Sequence, residues 1–240
     1  MTGTAVFIPA WNEEENLPSV LDDLHRVLPD AQVLVVDDGS TDRTADVSRE
    51  HGAEVLSLGT NRGLPVGIAS GYRWALEHEY DYCGRVDADG QHPAAELARL
   101  LELVRSDVCD VAVGSRFVSG EGYAPYRYRP DRTRRFGTAV LRRAIALVLR
   151  RPFGDATSGL YAVNSKALPL LAEEFTTEAP EVEALIRIVD AGLRLEEVPV
   201  NMAARAGGES KLRGSKAVKV VLTVAGTLVA AKLLQARRRR

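Results

Sequence analysis

With 240 residues, 45% of them hydrophobic and 27% charged, the chain is long enough to bury the core of one sizeable α/β domain. Cys83 and Cys109 are too few for a disulfide framework or a zinc site, and each lies beside apolar strand-like sequence, so core thiols in a reducing compartment are expected. The net charge of −2 hides an asymmetry: Arg205 to Arg240 carry ten basic residues against one acidic, which leaves about −11 on the rest and gives the tail a preference for membrane headgroups or phosphates.

Met1-Thr2-Gly3-Thr4 lacks a basic n-region and no long apolar run follows it, so no secretory signal is expected. Short β-branched runs then alternate with amphipathic ones. Ala5 to Ile8, Gln32 to Val36, Glu54 to Leu58, Tyr82 to Val86 and Val111 to Gly114 read as buried strands. Between them Leu17 to Val27, Thr44 to His51, Gly67 to Glu77 and Ala94 to Arg105 carry apolar residues at helical spacing. The alternation predicts an α/β fold, a mostly parallel sheet with crossover helices on both faces. Ser115 to Pro152 is rich in arginine and tyrosine and includes an apolar helical stretch from Ala139 to Leu149. A loop from Asp155 to Tyr161 enters a strand, then a helix from Glu181 to Ala191 and a strand from Leu195 to Val200 follow. Val220 to Ala231 is apolar for about twelve residues, short of the roughly twenty that span a bilayer. With the lysines and arginines around it, this run predicts a basic amphipathic helix over 216–240 that lies on anionic lipid or docks on the domain.

Ligands of open α/β sheets sit at the carboxyl ends of the strands. Three polar loops fall there: Pro9 to Glu13, Asp37 to Asp42, and Asp87-Ala88-Asp89-Gly90-Gln91-His92. Two carboxylates on alternate residues of a chain leaving a sheet can converge on one hard divalent cation, whose remaining positions go to water and substrate phosphates. The same six residues could instead form a solvated acidic turn, and Asp37 to Asp42 could simply turn the chain and cap the next helix. No G-x-G-x-x-G or Walker-type loop is present, so bound phosphates would be neutralised by a metal and arginines and not by a glycine cradle.

Taken in order, Pro9-x-Trp11-Asn12-Glu13, Val36-Asp37-Asp38-Gly39-Ser40-Thr41-Asp42, Asn61-Arg62-Gly63, Asp87 to Pro93, Gly114-Ser115-Arg116, Asp155-x-Thr157-Ser158-Gly159, Glu197-Val198-Pro199-Val200 and Arg205-x-Gly207-Gly208-x-Ser210-Lys211 make the chain resemble family 2 glycosyltransferases of the GT-A fold. The likeness is strongest to the dolichol-phosphate mannosyltransferase-like branch and covers roughly residues 4–215, implying a GT-A domain over 1–215 followed by the basic helix. It implies an inverting, metal-dependent transferase using a nucleotide-diphosphate sugar, GDP- or UDP-linked. Pro9, Trp11 and Glu13 would surround the base, Asp37 and Asp38 would hold base and ribose, and Gly39 and Arg62 belong to the same donor site. Asp87, Asp89 and Gln91 would bind Mg2+ or Mn2+ and through it the diphosphate.

The branch implies an acceptor that is already a phosphate anion, a polyprenyl-phosphate lipid, which needs cations and no general base. Arg116, with Arg132 or Arg135, and the loop holding Arg205, Ser210 and Lys211 are the candidates, since guanidinium forks match phosphate geometry. Asp155 would orient groups of the acceptor site or close a turn. A hydroxyl acceptor on a soluble metabolite or glycan would instead require a carboxylate base. Glu181 and Glu183 sit where such relatives carry an acidic pair, although first-turn glutamates also suit a helix N-terminus. A non-catalytic nucleotide-binding or membrane-associated scaffold is the reading from another class. No nucleic-acid reader motif accompanies the arginine–tyrosine stretch, so nucleic acid is not an expected partner. The expected location is cytoplasmic, peripheral on the inner face of the membrane.

Overall fold

The computed structural model describes residues 3–120, 122–123, 146 and 151–203. β1 (Thr4–Ala10), β2 (Gln32–Asp37) and β3 (Glu54–Ser57) are joined through α1 (Leu17–Val27) and α2 (Thr44–Glu50), and α3 (Leu64–Glu77), β4 (Tyr82–Arg85), α4 (Ala94–Arg105) and β5 (Val111–Ser115) follow. Beyond the arginine-rich region come β6 (Tyr161–Asn164), the single turn α5 (Leu168–Leu171), α6 (Pro180–Asp190) and β7 (Leu195–Pro199). Pro18, Pro65 and Pro180 lie at the first positions of α1, α3 and α6, where the missing N–H has no partner to lose.

The described strands form one sheet in the order β3, β2, β1, β4, β6, β5, β7. β1 pairs in parallel with β2 and β4, and β5 in parallel with β7. β6 runs against both β4 and β5, so it alone is reversed. β1 is central and covered on both faces, which is why Ala5-Val6-Phe7-Ile8 is apolar without alternation. The pleat still sorts its side chains. Ala5 and Phe7 join the core beneath α3, α5 and α6, while Val6 and Ile8 join the one beneath α1 and α4.

The mostly parallel sheet with helices on both faces agrees with the expected fold class, and three expectations need correction. Glu54 to Leu58 is not a buried strand: β3 is the sheet edge, with Glu54 and Ser57 exposed, because only β2 pairs with it. α3 begins at Leu64 rather than Gly67, since Pro65 is compatible with a first turn. The reversal of β6 was not anticipated, because periodicity identifies a strand but not its direction. Cys83 and Cys109 are both buried free thiols, as expected of core cysteines, and burial pushes the Cys109 thiol up to about 11. Among the described residues no helix is long and apolar enough to cross a membrane. Ala139 to Leu149, apart from residue 146, and the predicted helix over 216–240 lie outside the described residues.

Candidate active site

The loops after β1 and β2 are laced together. Asn12, at φ 53°, donates its N–H to Ser40 Oγ at 3.0 Å and accepts the Thr41 N–H at 2.8 Å. Glu13 N–H reaches Thr44 Oγ1 at 2.9 Å and Glu14 N–H reaches Asp42 at 3.2 Å. The polar residues that suggested a helix cap therefore also bind the neighbouring loop, leaving Trp11 40% exposed on its crest.

Asp37 and Asp38, expected to hold base and ribose, are both buried and both already accept hydrogen bonds. Asp37 takes the Ser40 N–H at 3.0 Å and the Ser57 hydroxyl at 3.3 Å. Asp38 takes the N–H groups of Arg62 and Gly63 at 2.6 and 2.8 Å, fixing the 61–63 loop against the β2 end. Gly39 is required here: its φ is 69° and a Cβ would meet the Thr60 carbonyl carbon at 2.4 Å. Arg62 contributes its backbone to this contact and its residue is exposed.

A cleft of 380 Å³ opens between these loops and the end of β4, and both Asp87 and Asp89 line it. Pro9, Trp11, Glu13, Asp38, Asn61 and Leu64 are among the other lining residues. Asp87 is fixed from several sides. Its N–H donates to His92 Nδ1 at 3.1 Å, its Oδ1 accepts from Arg85 Nη2 at 3.2 Å, and the Gly159 backbone presses on its Oδ2, where a Cβ would come within 2.1 Å. Burial alone would raise the Asp87 carboxyl. The Arg85 guanidinium, with Arg116 further off, outweighs burial and holds it below the ordinary carboxylate range. Burial pushes His92 down, in keeping with a neutral ring accepting at Nδ1. Asp89 accepts the Gln91 N–H at 3.1 Å within the turn itself, and the Gln91 carbonyl accepts the Ala203 N–H at 3.0 Å.

Two anionic oxygen donors on one open wall fit a magnesium- or manganese-type ion. Among the described residues no three histidine, cysteine or acidic side chains form a metal cage, so most coordination positions would fall to diphosphate and water, as hard cations of this kind prefer.

Arg116, expected to fork a phosphate, places Nε and Nη2 on the two oxygens of Asp155 at 2.6 and 2.7 Å and also reaches Thr157. Asp155 is 1% exposed and holds Arg116, which feels the charges of Asp87 and Asp89. Glu197, from the Glu-Val-Pro motif, in turn accepts the N–H groups of Gly154 and Asp155 at 2.8 Å. Glu183 is also committed: it accepts from the backbone and hydroxyls of Thr176 and Thr177 and pairs with Arg187 at 2.7 Å. Glu181 pairs with Arg85 at 3.0 Å. Arg132, Arg135, Arg205, Ser210 and Lys211 lie outside the described residues. Sequence reasoning missed Arg85 and the holding role of Glu197; the signal for Arg85 was a charge at the end of a strand otherwise destined for the core.

A sequence model of the family described as Glycosyl transferase family 2 matches residues 5–168. The chain is 35% identical over 225 residues to an undecaprenyl-phosphate mannosyltransferase of Micrococcus luteus, covering 90% of each chain. It is 30% identical over 246 residues to a polyprenol monophosphomannose synthase of Mycolicibacterium smegmatis, covering 98% of this chain and 90% of the relative. Among solved structures, glucosyl-3-phosphoglycerate synthase of Mycobacterium tuberculosis superposes with a TM-score of 0.70 at 20% identity in its phosphoglyceric acid complex, covering 96% of this chain and 80% of the other. The same enzyme with Mn2+, uridine diphosphate and glucosyl-3-phosphoglycerate gives 0.68 at 21% identity, again covering 96% and 80%. The shared architecture is the GT-A fold, and by its family match and its close relatives the chain belongs to glycosyltransferase family 2, in the dolichol-phosphate mannosyltransferase-like branch.

Proposed function

We propose that this glycosyltransferase moves a hexose, with inversion, from a GDP- or UDP-linked donor to the phosphate of a polyprenyl-type lipid, using Mg2+ or Mn2+, at the cytoplasmic face of a membrane. The observation that carries the reading is the convergence of Asp87 and Asp89 on the cleft that Pro9, Trp11, Glu13 and Asp38 line. A phosphate oxygen of the lipid forms the new bond to the anomeric carbon as the bond from that carbon to the diphosphate oxygen breaks, and the electron pair leaves with the nucleoside diphosphate. A divalent cation, when bound, neutralises the charge that grows on this leaving group. Pro9 and Trp11 offer an apolar wall for the base, Asp38 and the 61–63 backbone lie beside the ribose position, and Arg116 supplies a cation next to the acidic turn.

The names of the relatives and the engagement of the acids support this acceptor class. A hydroxyl must lose its proton, normally to a carboxylate. Both carboxylates at the start of α6 are already engaged, Glu183 by the 176–177 loop and Glu181 by Arg85. A phosphate acceptor has no such requirement.

Two measurements test the reading. A thermal-shift panel of nucleoside diphosphates is expected to show stabilisation by GDP or UDP that Mn2+ enhances. Transfer assays are expected to label polyprenyl phosphate and leave soluble hydroxyl acceptors unlabelled. Glu181→Gln keeps an oxygen facing Arg85 and is expected to cost less than about tenfold, whereas loss of a general base costs on the order of 10²–10⁴-fold. Transfer to a hydroxyl, abolished by Glu181→Gln, would overturn the acceptor assignment.

A further inference from the structure

We propose that Arg85 is a positioning residue of the donor site, holding Asp87 toward the cleft by clamping it to Glu181 at the start of α6. The proposal rests on the donor-site reading of Asp87 given above. Arg85 is the last residue of β4, in register with Phe7 of β1 and Tyr161 of β6, and is 2% exposed. A single nitrogen, Nη2, serves both acids: Asp87 Oδ1 at 3.2 Å and Glu181 Oε1 at 3.0 Å.

A buried guanidinium is a poor way to stabilise a core. Desolvation offsets most of the attraction, and well-packed apolar residues of similar volume usually do as well or better. Arg85 is also not arranged for maximal satisfaction. Its Nε is buried without a hydrogen-bond partner, as is the hydroxyl of Tyr161 directly across the β4–β6 ladder. A side chain serving only as a core staple would engage its whole fork. This one directs one terminal nitrogen at Asp87 and anchors the same nitrogen on another element.

The consequence is local and directional. The two acids meet the same nitrogen, so their oxygens are at most about 6 Å apart, and without the guanidinium between them they would repel. Gly159 blocks the Oδ2 side of Asp87 and His92 holds its backbone. With Arg85 on Oδ1, the Asp87 side chain stays at the wall of the cleft. Asp89 has a different kind of support, a hydrogen bond inside its own turn. Arg85 thus accounts for how one acid of the pair stays fixed when its neighbour across the core is also an anion.

The test uses the full chain, with Mn2+ and either GDP or UDP as probes. Binding is read from manganese-enhanced water-proton relaxation, and folding from thermal melting. Arg85→Met is expected to weaken Mn2+–nucleotide binding by roughly tenfold to a hundredfold, the range seen when outer partners of metal-binding groups are removed. Asp87→Asn should weaken it at least as much. The double variant should lose no more than about threefold beyond Asp87→Asn alone, because Arg85 acts through Asp87. A double variant in which the two losses multiply overturns the proposal, as does Arg85→Met binding within about threefold of wild type, where double-mutant coupling would no longer be resolved. Arg85→Lys keeps a charge but cannot span both acids; it is expected to fall between wild type and Arg85→Met. If Arg85→Met does not fold, wild-type affinity in Arg85→Lys overturns the proposal and a loss of several-fold supports it. Absence of Mn2+–nucleotide binding in the wild-type chain would instead remove the donor-site reading itself.

Discussion

Aspartates gather around arginines at both ends of this sheet, and the two clusters are wired differently. Where β5 and β7 begin, Asp110 is buried and accepts from the backbone and guanidinium of Arg194, from the Asn164 amide and from Lys166. Asp107 takes another arm of the same arginine. Cations and donors surround the acids, and the hydrogen bonds from Arg194 hold the Asp110 carboxyl well below the usual carboxylate range. The result pins the start of β7 to β5 and to the end of β6. At the other end Glu13, Asp38, Asp87 and Asp89 share an open cleft, while buried Arg85 lies behind Asp87 and Arg116 is turned to Asp155. An acid enclosed by donors on several sides, as Asp110 is, serves as a staple; an acid held by a cation but lining the cleft, as Asp87 is, leaves negative charge facing the opening.

The comparison can be broken by removing the acids one end at a time. Asp89→Asn is expected to abolish transfer, by roughly 10³-fold or more given the several kcal/mol that metal-assisted charge stabilisation supplies, with the melting temperature unchanged. Retained turnover would remove the metal assignment. Gly159→Ala pushes a methyl group into Asp87 Oδ2 and is expected to cost about tenfold to a hundredfold in Mn2+-dependent nucleotide affinity, which titration with and without the metal would measure.

At the opposite end the prediction reverses. Asp110→Asn is expected to lower stability by about 2 kcal/mol, roughly 4–8 °C in melting temperature, with donor affinity intact. The sign with pH is fixed: a carboxyl depressed in the folded chain stabilises it above the unfolded pKa of about 4, and the benefit disappears as pH falls through the folded value. The gap between the melting temperatures of wild type and Asp110→Asn should therefore begin to narrow as pH falls below about 4 and close only near the much lower folded value. The smallest effect is expected for Trp11→Ala, a loss of about fivefold in nucleotide binding, consistent with about 1 kcal/mol for one aromatic contact. A loss as large as that of Asp89→Asn would mean that Trp11 shapes the loop and not merely its surface.

Much of the architecture was legible because it depends on local periodicity. Val33 to Val36 and Val111 to Val113 are valine-rich and continuously apolar, as strands covered on both faces are, and Leu17 to Leu24 repeats at helical spacing. The acidic turn was legible for a similar reason: alternate residues leaving a strand lie close together whatever surrounds them. Tertiary structure decided matters involving partners far apart in the chain. Asp155 reads as a site residue, yet burial makes it the holder of Arg116, 39 residues away. Glu181 reads as a candidate base, yet Arg85, 96 residues earlier, binds it. The reversed course of β6 brings Tyr161 beside Arg85, and the loop before that strand brings Gly159 against Asp87. Pattern along the chain therefore determined the elements and the chemistry they can carry, while folding determined which charges face the cleft and which are neutralised behind it. The physical reason is that periodicity is set by neighbours in sequence, whereas the state of a carboxylate is set by neighbours in space.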